Sequence, residues 1–259
     1  MKQIKEKTVL ITGASSGIGA EFAKLLAEKG AHLILTARSE DKLKELAGTL
    51  QEAFSVRARV LPADLSRPEA PARLFQQVKD TGEQVDVVIN NAGFGKWGRF
   101  DSVDLETYLQ MCTLNIDAVV ALTHLFLPDM LAKGEGGFIN VASTAAFQPV
   151  PFFATYSATK AFVLSFSEAL SEEYRDQGIT VTCLCPGGTA TNFHQVSKID
   201  TKKLIGLEPA AKVARVGLDA FLRGQPTVIS GFKNYLLANS TRLVPRKTVA
   251  KVTAALFRP

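Results

Sequence analysis

Three polar residues near the middle of the chain have the types and spacing for proton transfer. Tyr156 and Lys160 stand four residues apart, and Ser143 precedes the tyrosine by thirteen residues. Side chains four residues apart share one face of a helix, so the ammonium should lie beside the phenol. A neighbouring cation stabilises a phenolate and should lower the tyrosine pKa from about 10 toward working pH. Because such a pair is also common on helix surfaces, a second signal is needed.

A glycine-rich turn far upstream supplies that signal. Residues 12–19 read Thr-Gly-Ala-Ser-Ser-Gly-Ile-Gly and separate an apolar run from a helical pattern. Gly13 can adopt a backbone angle that side chains disfavour, and Gly17 and Gly19 allow close approach to a phosphate and to the sheet. The spacing differs from G-x-G-x-x-G, but its strand–turn–helix context predicts a pyrophosphate cradle at a helix N-terminus. Together with Tyr156, it predicts carbonyl/alcohol redox chemistry with a dinucleotide.

The residues after the second candidate strand predict which dinucleotide binds. A carboxylate there would bind the ribose of NAD, whereas an arginine can pair with the 2′-phosphate of NADP. The run 35–39 has no acid and contains Arg38 and Ser39, a forked donor and a hydroxyl suited to phosphate. The alternative is a surface arginine without a ligand. The sequence favours NADP(H).

The elements that must position these residues alternate between short β-branched runs and longer helical patterns. This alternation predicts repeated βαβ units around a parallel sheet whose strands are covered by helices on both faces. The candidate strands are residues 8–12, 32–37, 57–63, 85–90, 137–142, 179–185 and 227–230. The candidate helices are residues 17–29, 41–53, 68–81, 105–132, 155–176 and 209–223. Ser66 and Glu69 predict a capping box for the third helix, with Pro68 in its first turn.

Composition limits the other functions that the chain could have. It has 259 residues, 46% of them apolar, and no linker or repeat, so one domain spanning residues 1–259 is expected. The net charge of +5, without a long basic block, does not predict nucleic-acid binding. The N-terminus lacks a signal peptide, and the longest apolar stretch, 118–131, is interrupted and too short to span a bilayer. We expect a cytoplasmic protein without an integral membrane segment.

The cysteines and histidines do not predict a metal site. Three cysteines are typical of a reducing compartment, and Cys183 and Cys185 should share one face of a buried strand as small core residues. His32, His124 and His194 are scattered and have no metal-ligand spacing.

Two late segments fall outside the alternation of strands and helices. Residues 187–206 form a long connection, of the kind that often covers a ligand, and contain Phe193, His194 and Val196. Residues 233–259 are basic with interleaved apolar residues, and Pro245 should split them into two short helices. They could contact a membrane surface or another subunit, but a packed terminal helix with a solvated basic face is favoured.

The ordered motifs between residue 8 and about residue 191 resemble the short-chain dehydrogenase/reductase family, in its single-domain branch. The matching segments are the glycine turn, Asp64-Leu65, Asn90-Asn91-Ala92-Gly93, Asn115, Ser143, Tyr156 with Lys160, and Pro186-Gly187-Gly188-Thr189-Ala190-Thr191. The resemblance implies an α/β, Rossmann-like, three-layer doubly wound fold with a seven-stranded, mainly parallel sheet and helices on both faces. It also implies a homodimer or homotetramer.

The same resemblance implies roles for individual residues. Tyr156 would be the general acid in reduction and the general base in oxidation. Lys160 would lower the tyrosine pKa and bind the nicotinamide ribose. Ser143 would polarise the carbonyl, and Asn115 would hold a water of the proton relay. The predicted cofactor contacts are Gly13, Ser15, Ser16, Gly17, Ile18, Gly19, Arg38, Ser39, Asp64, Leu65, Asn91, Ala92, Gly93, Tyr156, Lys160, Pro186, Gly187, Thr189 and Thr191.

The substrate is predicted only by the character of the residues expected around it. The candidate walls of the pocket are Phe94, Trp97, Phe147, Val150, Phe152, Phe153, Phe193 and Val196. They favour a mainly apolar ketone or aldehyde, reduced at the expense of NADPH. One alternative is a β-ketoacyl thioester reductase, which shares the tetrad and the cofactor and would need a basic patch for an acidic carrier protein. Another is a redox sensor that binds NADP without turnover, which the intact tetrad disfavours.

Overall fold

All the predicted strands occur in one parallel sheet. A computed structural model describes residues 3–200 and 206–258. Its strands are β1 (Thr8–Thr12), β2 (His32–Thr36), β3 (Ala58–Val60), β4 (Val87–Asn90), β5 (Gly136–Val141), β6 (Ile179–Cys185), β7 (Thr189–Ala190), β8 (Glu208–Pro209) and β9 (Thr227–Ile229). The main sheet has the order β3-β2-β1-β4-β5-β6-β9, and each neighbouring pair is parallel. The expected seven-stranded α/β fold is confirmed.

Helices cover both faces of this sheet, which explains strands that are apolar throughout. The helices are α1 (Gly17–Glu28), α2 (Glu40–Phe54), α3 (Ala70–Asp80), α4 (Leu105–Cys112), α5 (Ala118–Lys133), α6 (Ala154–Glu173), α7 (Phe193–Ser197), α8 (Ala210–Leu222), α9 (Phe232–Ser240) and α10 (Arg246–Phe257). Val9 and Ile11 of β1 pack with residues of α1, α2 and α8, whereas Leu10 packs on the other face with residues of α3 and α5. Successive strand residues therefore enter opposite cores.

The helix expected at 105–132 forms with an unpredicted π-helical turn, and the expected capping box of the third helix is wrong. The helix expected at 105–132 is divided into α4 and α5 by one π-helical turn, Thr113–Asp117. The expected capping box does not form, because α3 begins at Ala70 with Pro71 in its first turn and no side chain caps it. The Ser66 hydroxyl instead donates a hydrogen bond of 2.7 Å to Asp64 Oδ1. Because Asp64 lies only two residues away, its carboxylate takes the Ser66 hydroxyl that was expected to cap the helix.

The apolar stretch 118–131 is part of a longer helical segment that begins at Leu105. Leu105–Lys133 has 29 residues and a mean hydropathy of 1.4 in its most apolar part, which satisfies the length and composition of a membrane-crossing helix. Of that part, 44% is buried inside the protein, and one such helix is weak evidence for a membrane span. Cys183 and Cys185 are fully buried on one face of β6, as predicted. Residues 3–200 and 206–258 contain no cluster of three acidic, histidine or cysteine side chains placed for a metal ion.

Candidate active site

One cavity of about 530 Å³ lies at the carboxyl ends of the parallel strands. The segments that follow β1, β2, β3, β4, β5 and β6 line it, at the edge of the sheet where α/β proteins generally bind ligands. Its lining includes Gly13, Ser15, Ser16, Gly17, Ile18, Arg38, Ser39, Asp64, Leu65, Asn91, Ala92, Gly93, Ser143, Tyr156, Lys160, Pro186, Gly187, Thr189 and Thr191. The structure thus brings the predicted site residues together, except that Gly19 and Asn115 lie behind the lining.

The glycines of the turn are required by its backbone geometry. Gly13 and Gly17 have φ angles of +66° and +58°, in the left-handed region that favours glycine. Gly19 has no such angle, but a Cβ atom there would lie 2.4 Å from the Gly13 carbonyl oxygen. A side chain at Gly19 would therefore displace the backbone of the turn, and one at Gly13 or Gly17 would be held in a strained backbone conformation. This geometry is compatible with the pyrophosphate cradle predicted at the start of α1.

The segment after β4 fixes this turn by hydrogen bonds. Asn91 Nδ2 donates to the carbonyl oxygens of Thr12 at 2.8 Å and Gly13 at 3.3 Å. The Thr12 hydroxyl accepts from the backbone N–H groups of Asn91 and Ala92, both at 2.9 Å. It also donates to the Ile89 carbonyl at 3.2 Å. This network joins two chain segments almost 80 residues apart and holds the cradle in one conformation.

Arg38 and Ser39 follow β2 and line the cavity, and both side chains are exposed. Asp64 lies near them and after β3. Partial burial acts to raise the pKa of its carboxyl, but hydrogen bonds from Ser66 and the charges of Arg38 and Arg67 outweigh it, so the pKa is lowered. The region therefore combines a cation, a hydroxyl and an ionised carboxylate. This donor and acceptor set fits an adenosine phosphate better than it fits an apolar ligand.

Tyr156 and Lys160 share one face of α6, as predicted, and both are buried, with 8% and 5% of their surfaces exposed. The Lys160 ammonium lies 5.8 Å from the centre of the Tyr156 ring and donates a hydrogen bond of 2.8 Å to the Val141 carbonyl. Ser143 follows β5, and its hydroxyl accepts from the Ala145 N–H at 3.1 Å. Ser143, just after β5, therefore lies beside helix α6, which carries Tyr156 and Lys160.

Burial determines the protonation of this pair. It raises the pKa of the Tyr156 phenol to about 12, although hydrogen bonding with Ser143 acts in the opposite direction. It also lowers the pKa of the Lys160 ammonium to about 8. The prediction that Lys160 would bring the tyrosine pKa down is wrong for this structure, because removal of the phenolate from water outweighs the favourable interactions.

Asn115 is fully buried in the middle of the π-helical turn. Its Nδ2 atom donates to the Phe94 carbonyl and to the Thr159 hydroxyl, both at 3.0 Å, and its Oδ1 atom accepts from the Phe94 N–H at 3.2 Å. The side chain thereby joins the segment after β4 to α6. π-helical turns are frequent at functional sites, and this one places the Asn115 amide between the Phe94 segment and α6.

The other half of the cavity is mostly apolar. Of the eight candidate pocket residues, Phe94, Val150, Phe153, Phe193 and Val196 line it. The Phe153 and Phe193 rings lie 4.4 Å and 5.4 Å from the Tyr156 ring, centre to centre. Trp97, Phe147 and Phe152 lie outside the lining. The expected cover, residues 187–206, contains β7 and α7, and its residues 201–205 lie outside the described part of the chain. Strand β7 pairs with β8, which follows the cover.

Comparison with known protein families agrees with this architecture. Residues 7–202 match the family model described as short chain dehydrogenase. The chain belongs to the short-chain dehydrogenase family. Members of this family are oxidoreductases that bind a nicotinamide dinucleotide, and the cradle, the exposed cation and the buried Tyr–Lys pair of this member fit such a cofactor.

Individual relatives of this short-chain dehydrogenase differ in what they act on. Over 195 residues it is 33% identical to the very-long-chain 3-oxoacyl-CoA reductase of Rattus norvegicus, a match that covers 73% of this chain but 61% of that enzyme. A short-chain dehydrogenase of Sphingobium yanoikuyae, solved in complex with NADPH, has 32% identity and a TM-score of 0.83, with 92% of this chain and 93% of that one covered. The bulky-bulky ketone specific alcohol dehydrogenase of Comamonas testosteroni has 29% identity and a TM-score of 0.79, with 92% of each chain covered.

Phe257 and Gln148 are among the cavity residues of this short-chain dehydrogenase that were not predicted from its sequence. Phe257, at the end of α10, lines the cavity, and its carbonyl accepts a hydrogen bond of 2.8 Å from the Trp97 indole. Gln148 and His194 also line it, and their buried Oε1 and Nδ1 atoms have no hydrogen-bond partner among the described residues. No local pattern marks Phe257, because its contact spans 160 positions. His194 belongs to the segment 187–206 that was expected to cover a ligand, and Gln148 could have been suspected from its position five residues after Ser143.

Proposed function

We propose that the protein is an NADP(H)-dependent oxidoreductase that reduces a mainly apolar ketone or aldehyde, with Tyr156 as the proton donor. The observation that carries this proposal is a buried phenol beside Lys160 and Ser143, in a cavity continuous with the glycine cradle. We further propose that residues 1–259 act as one catalytic domain, in a cytoplasmic homodimer or homotetramer.

The proposed chemistry follows from the protonation of the site. A nicotinamide cofactor would supply the hydride when bound. With a pKa of about 12, Tyr156 holds its proton at neutral pH and can donate it to the carbonyl oxygen of the substrate. Lys160, with a pKa of about 8, is mostly charged there and would stabilise the phenolate that remains. The Ser143 hydroxyl would donate a hydrogen bond to the same substrate oxygen.

Arg38 supports NADP(H) as the cofactor. Its guanidinium and the Ser39 hydroxyl form the polar end of the cavity, and no acid occupies the positions directly after β2. A carboxylate there would repel a 2′-phosphate, whereas a guanidinium can hold it with two hydrogen bonds. The NADPH complex of the Sphingobium relative supports the same cofactor.

The aromatic wall supports a bulky apolar substrate. The Phe153 ring stacks on the Tyr156 ring and the Phe193 ring lies tilted beside it, and Phe94, Val150 and Val196 add further apolar lining. Such a wall favours alkyl or aryl groups on either side of a carbonyl. The Comamonas relative, specific for bulky-bulky ketones, supports this substrate class.

Reduction of a β-ketoacyl thioester is the second candidate function, and two unpartnered atoms favour it. His194 Nε2 lies 2.6 Å from the Thr189 carbonyl, which leaves Nδ1 as an acceptor, and Gln148 Oε1 is also an acceptor. Hydrogen-bond donors of a ligand can satisfy both acceptors. A pantetheine arm carries amide N–H groups, and the rat relative is a 3-oxoacyl-CoA reductase. The redox-sensor alternative gains no support, since a sensor needs no buried proton donor.

A matched pair of substrates tests these proposals. NADPH oxidation is measured with a methyl ketone and with a 3-oxoacyl pantetheine thioester of equal chain length, in wild type and in Gln148→Leu. Faster turnover of the ketone, unchanged by the substitution, supports the apolar-ketone function. A thioester preference that Gln148→Leu reduces supports the second candidate. Absence of turnover with either substrate, in a folded protein that binds NADPH, would contradict the enzyme assignment.

A further inference from the structure

The last forty residues differ in charge from the rest of the protein. Residues 220–259 contain seven of the 30 Lys and Arg residues and none of the 25 Asp and Glu residues. The remainder of the chain therefore has 23 cations against 25 anions, and the net positive charge of the protein resides in this segment. Such an uncompensated cluster attracts anionic surfaces and repels a second copy of itself.

Helix α9, within this segment, has its apolar face turned outward. Asn234 and Ala238 are its buried residues. Phe232, Tyr235 and Leu236 lie on the opposite side, and the Phe232 side chain is 75% exposed. A surface helix normally buries its large apolar side chains and exposes its polar ones. The reverse arrangement indicates that this face meets an apolar environment outside the protein.

The turn after α9 and the helix α10 continue this surface. Leu243 is 87% exposed and stands between the exposed cations Arg242 and Arg246. Farther along α10, the exposed apolar residues Val252 and Leu256 accompany exposed lysines. We call this set the C-terminal patch. It comprises Phe232, Lys233, Tyr235, Leu236, Arg242, Leu243, Arg246, Lys247, Lys251, Val252 and Leu256.

Hydrogen bonds hold both parts of the patch on one side of the molecule. The Thr241 hydroxyl at the end of α9 lies 3.4 Å from the Phe147 carbonyl, and the Thr253 hydroxyl of α10 lies 2.9 Å from the Pro149 carbonyl. Both acceptors belong to the short segment before the catalytic helix α6. The end of α9 and the middle of α10 are therefore anchored two residues apart on the same segment, which makes the two helices neighbours on the surface.

We propose that the C-terminal patch binds the surface of a membrane that contains anionic lipids. The cations suit lipid headgroups, and the exposed Phe, Tyr and Leu side chains can insert at the boundary between headgroups and acyl chains. A two-fold contact of the patch with a second copy would oppose cations to cations. A nucleic acid could pair its phosphates with the cations, but it has no apolar interior into which the exposed leucines and valines could insert.

The position of the patch gives membrane binding a consequence for substrate entry. Helix α10 ends at Phe257, which lines the cavity, so a membrane at the patch would lie beside the wall of the substrate half. This part rests on the proposed reduction of an apolar carbonyl compound. A membrane-dissolved substrate could then reach the cavity without crossing bulk water.

Vesicle cosedimentation of the full-length protein tests the proposal. We expect binding to phosphatidylcholine vesicles that contain about 30% phosphatidylserine and no binding to pure phosphatidylcholine, with loss of binding as salt rises from about 0.1 M to 0.5 M. The triple variant Arg242→Gln, Arg246→Gln, Lys247→Gln should lose about a hundredfold in affinity. Leu243→Ser should lose about tenfold, because the exposed leucine can no longer insert.

Matched controls lie on other surfaces. Leu105→Ser removes a side chain that is 69% exposed, and Lys44→Gln, Arg73→Gln and Lys79→Gln together remove three exposed cations. Equal weakening by these controls, or no binding to phosphatidylserine vesicles, would overturn the proposal. So would tighter binding to a single-stranded oligonucleotide, or a dimer that dissociates in Leu243→Ser without any lipid binding. Turnover of a water-soluble ketone should be unchanged in the patch variants, which separates this test from that of the proposed function.

Discussion

The two halves of the cavity are built in different ways. In the cofactor half, each wall follows directly from the end of a strand, and glycines and backbone hydrogen bonds fix its shape. In the substrate half, the walls come from segments that are far apart in the chain, such as Phe153, Phe193 and Phe257, and side-chain packing joins them. A hydrogen-bonded backbone tolerates little change, whereas a packed apolar wall can change in size. Substitutions should therefore cost most at the reacting groups and the cradle, and least at the apolar wall.

The largest effect is expected at the junction of the two halves, where Tyr156 lies. Tyr156→Phe removes the hydroxyl that would donate the proton and should reduce turnover by about 10²–10⁴-fold. Cofactor affinity should hold, which NADPH titration of the same sample checks. A properly folded variant that reduces ketones at a near-normal rate would remove Tyr156 from the mechanism.

Lys160→Met should abolish most activity yet stabilise the cofactor-free protein by a few kcal/mol at pH 7. Below pH 8 the wild-type fold carries a buried cation that the unfolded chain would expose to water, which destabilises the fold. Between about pH 8 and 10.5, the folded lysine loses its proton while the unfolded one keeps it, so wild-type stability rises with pH. The difference between the two proteins should therefore shrink from pH 7 to about pH 9.5 in urea unfolding. A difference that is constant or grows with pH would contradict this reasoning.

The cradle should respond to a single methyl group. Gly19→Ala would place Cβ 2.4 Å from the Gly13 carbonyl oxygen, so the backbone must shift. We expect a loss of about 1–3 kcal/mol in unfolding free energy and a lower NADPH affinity. Gly48→Ala is the matched control, because this glycine of α2 has open space around it, and the change should stabilise the protein by about 1 kcal/mol. Equal effects of the two substitutions would mean that the turn is not closely packed.

Arg38→Asp tests the outer end of the cofactor half. Loss of a forked pair to a phosphate costs on the order of 1.5–3 kcal/mol, so NADPH binding should weaken about tenfold or more. NADH affinity should hold or improve, because a carboxylate can bind the ribose hydroxyls. Titration with both cofactors decides the assignment. A wild-type protein that binds NADH more tightly than NADPH would show that it is wrong.

The apolar wall should produce the smallest and most graded effect. Each methylene added to a fitting alkyl ketone should raise kcat/KM about fourfold until the pocket is full. Phe193→Ala or Phe257→Ala should flatten this dependence on chain length without abolishing turnover of the smallest ketone. A homologous ketone series assayed with NADPH measures the slope. A flat or inverted slope in wild type, or a preference for charged or sugar-like carbonyls, would exclude the apolar substrate class.

The sequence alone determined the features that depend on near neighbours in the chain. Strand and helix patterns predicted the sheet, since alternation and apolar runs reflect local geometry and burial. The glycine turn, Arg38 and the Tyr156–Lys160 pair were found because each lies within a few residues of a strand end or within one helical turn. Asn115 was found by family resemblance, but the π-helical turn around it was not, because the same apolar pattern fits a continuous helix.

Only the tertiary structure decided features that depend on distant parts of the chain. The direction of the Tyr156 pKa change was predicted wrongly, because the loss of water around a phenol depends on everything packed against it. Phe257 reaches the cavity through a contact with Trp97 that spans 160 positions. The sequence favoured a packed C-terminal helix with a solvated basic face, whereas the structure exposes apolar residues such as Phe232 and Leu243 beside the cations. Spacing in sequence controls which side chains are adjacent along one element, whereas burial and long-range packing are properties of the whole folded chain.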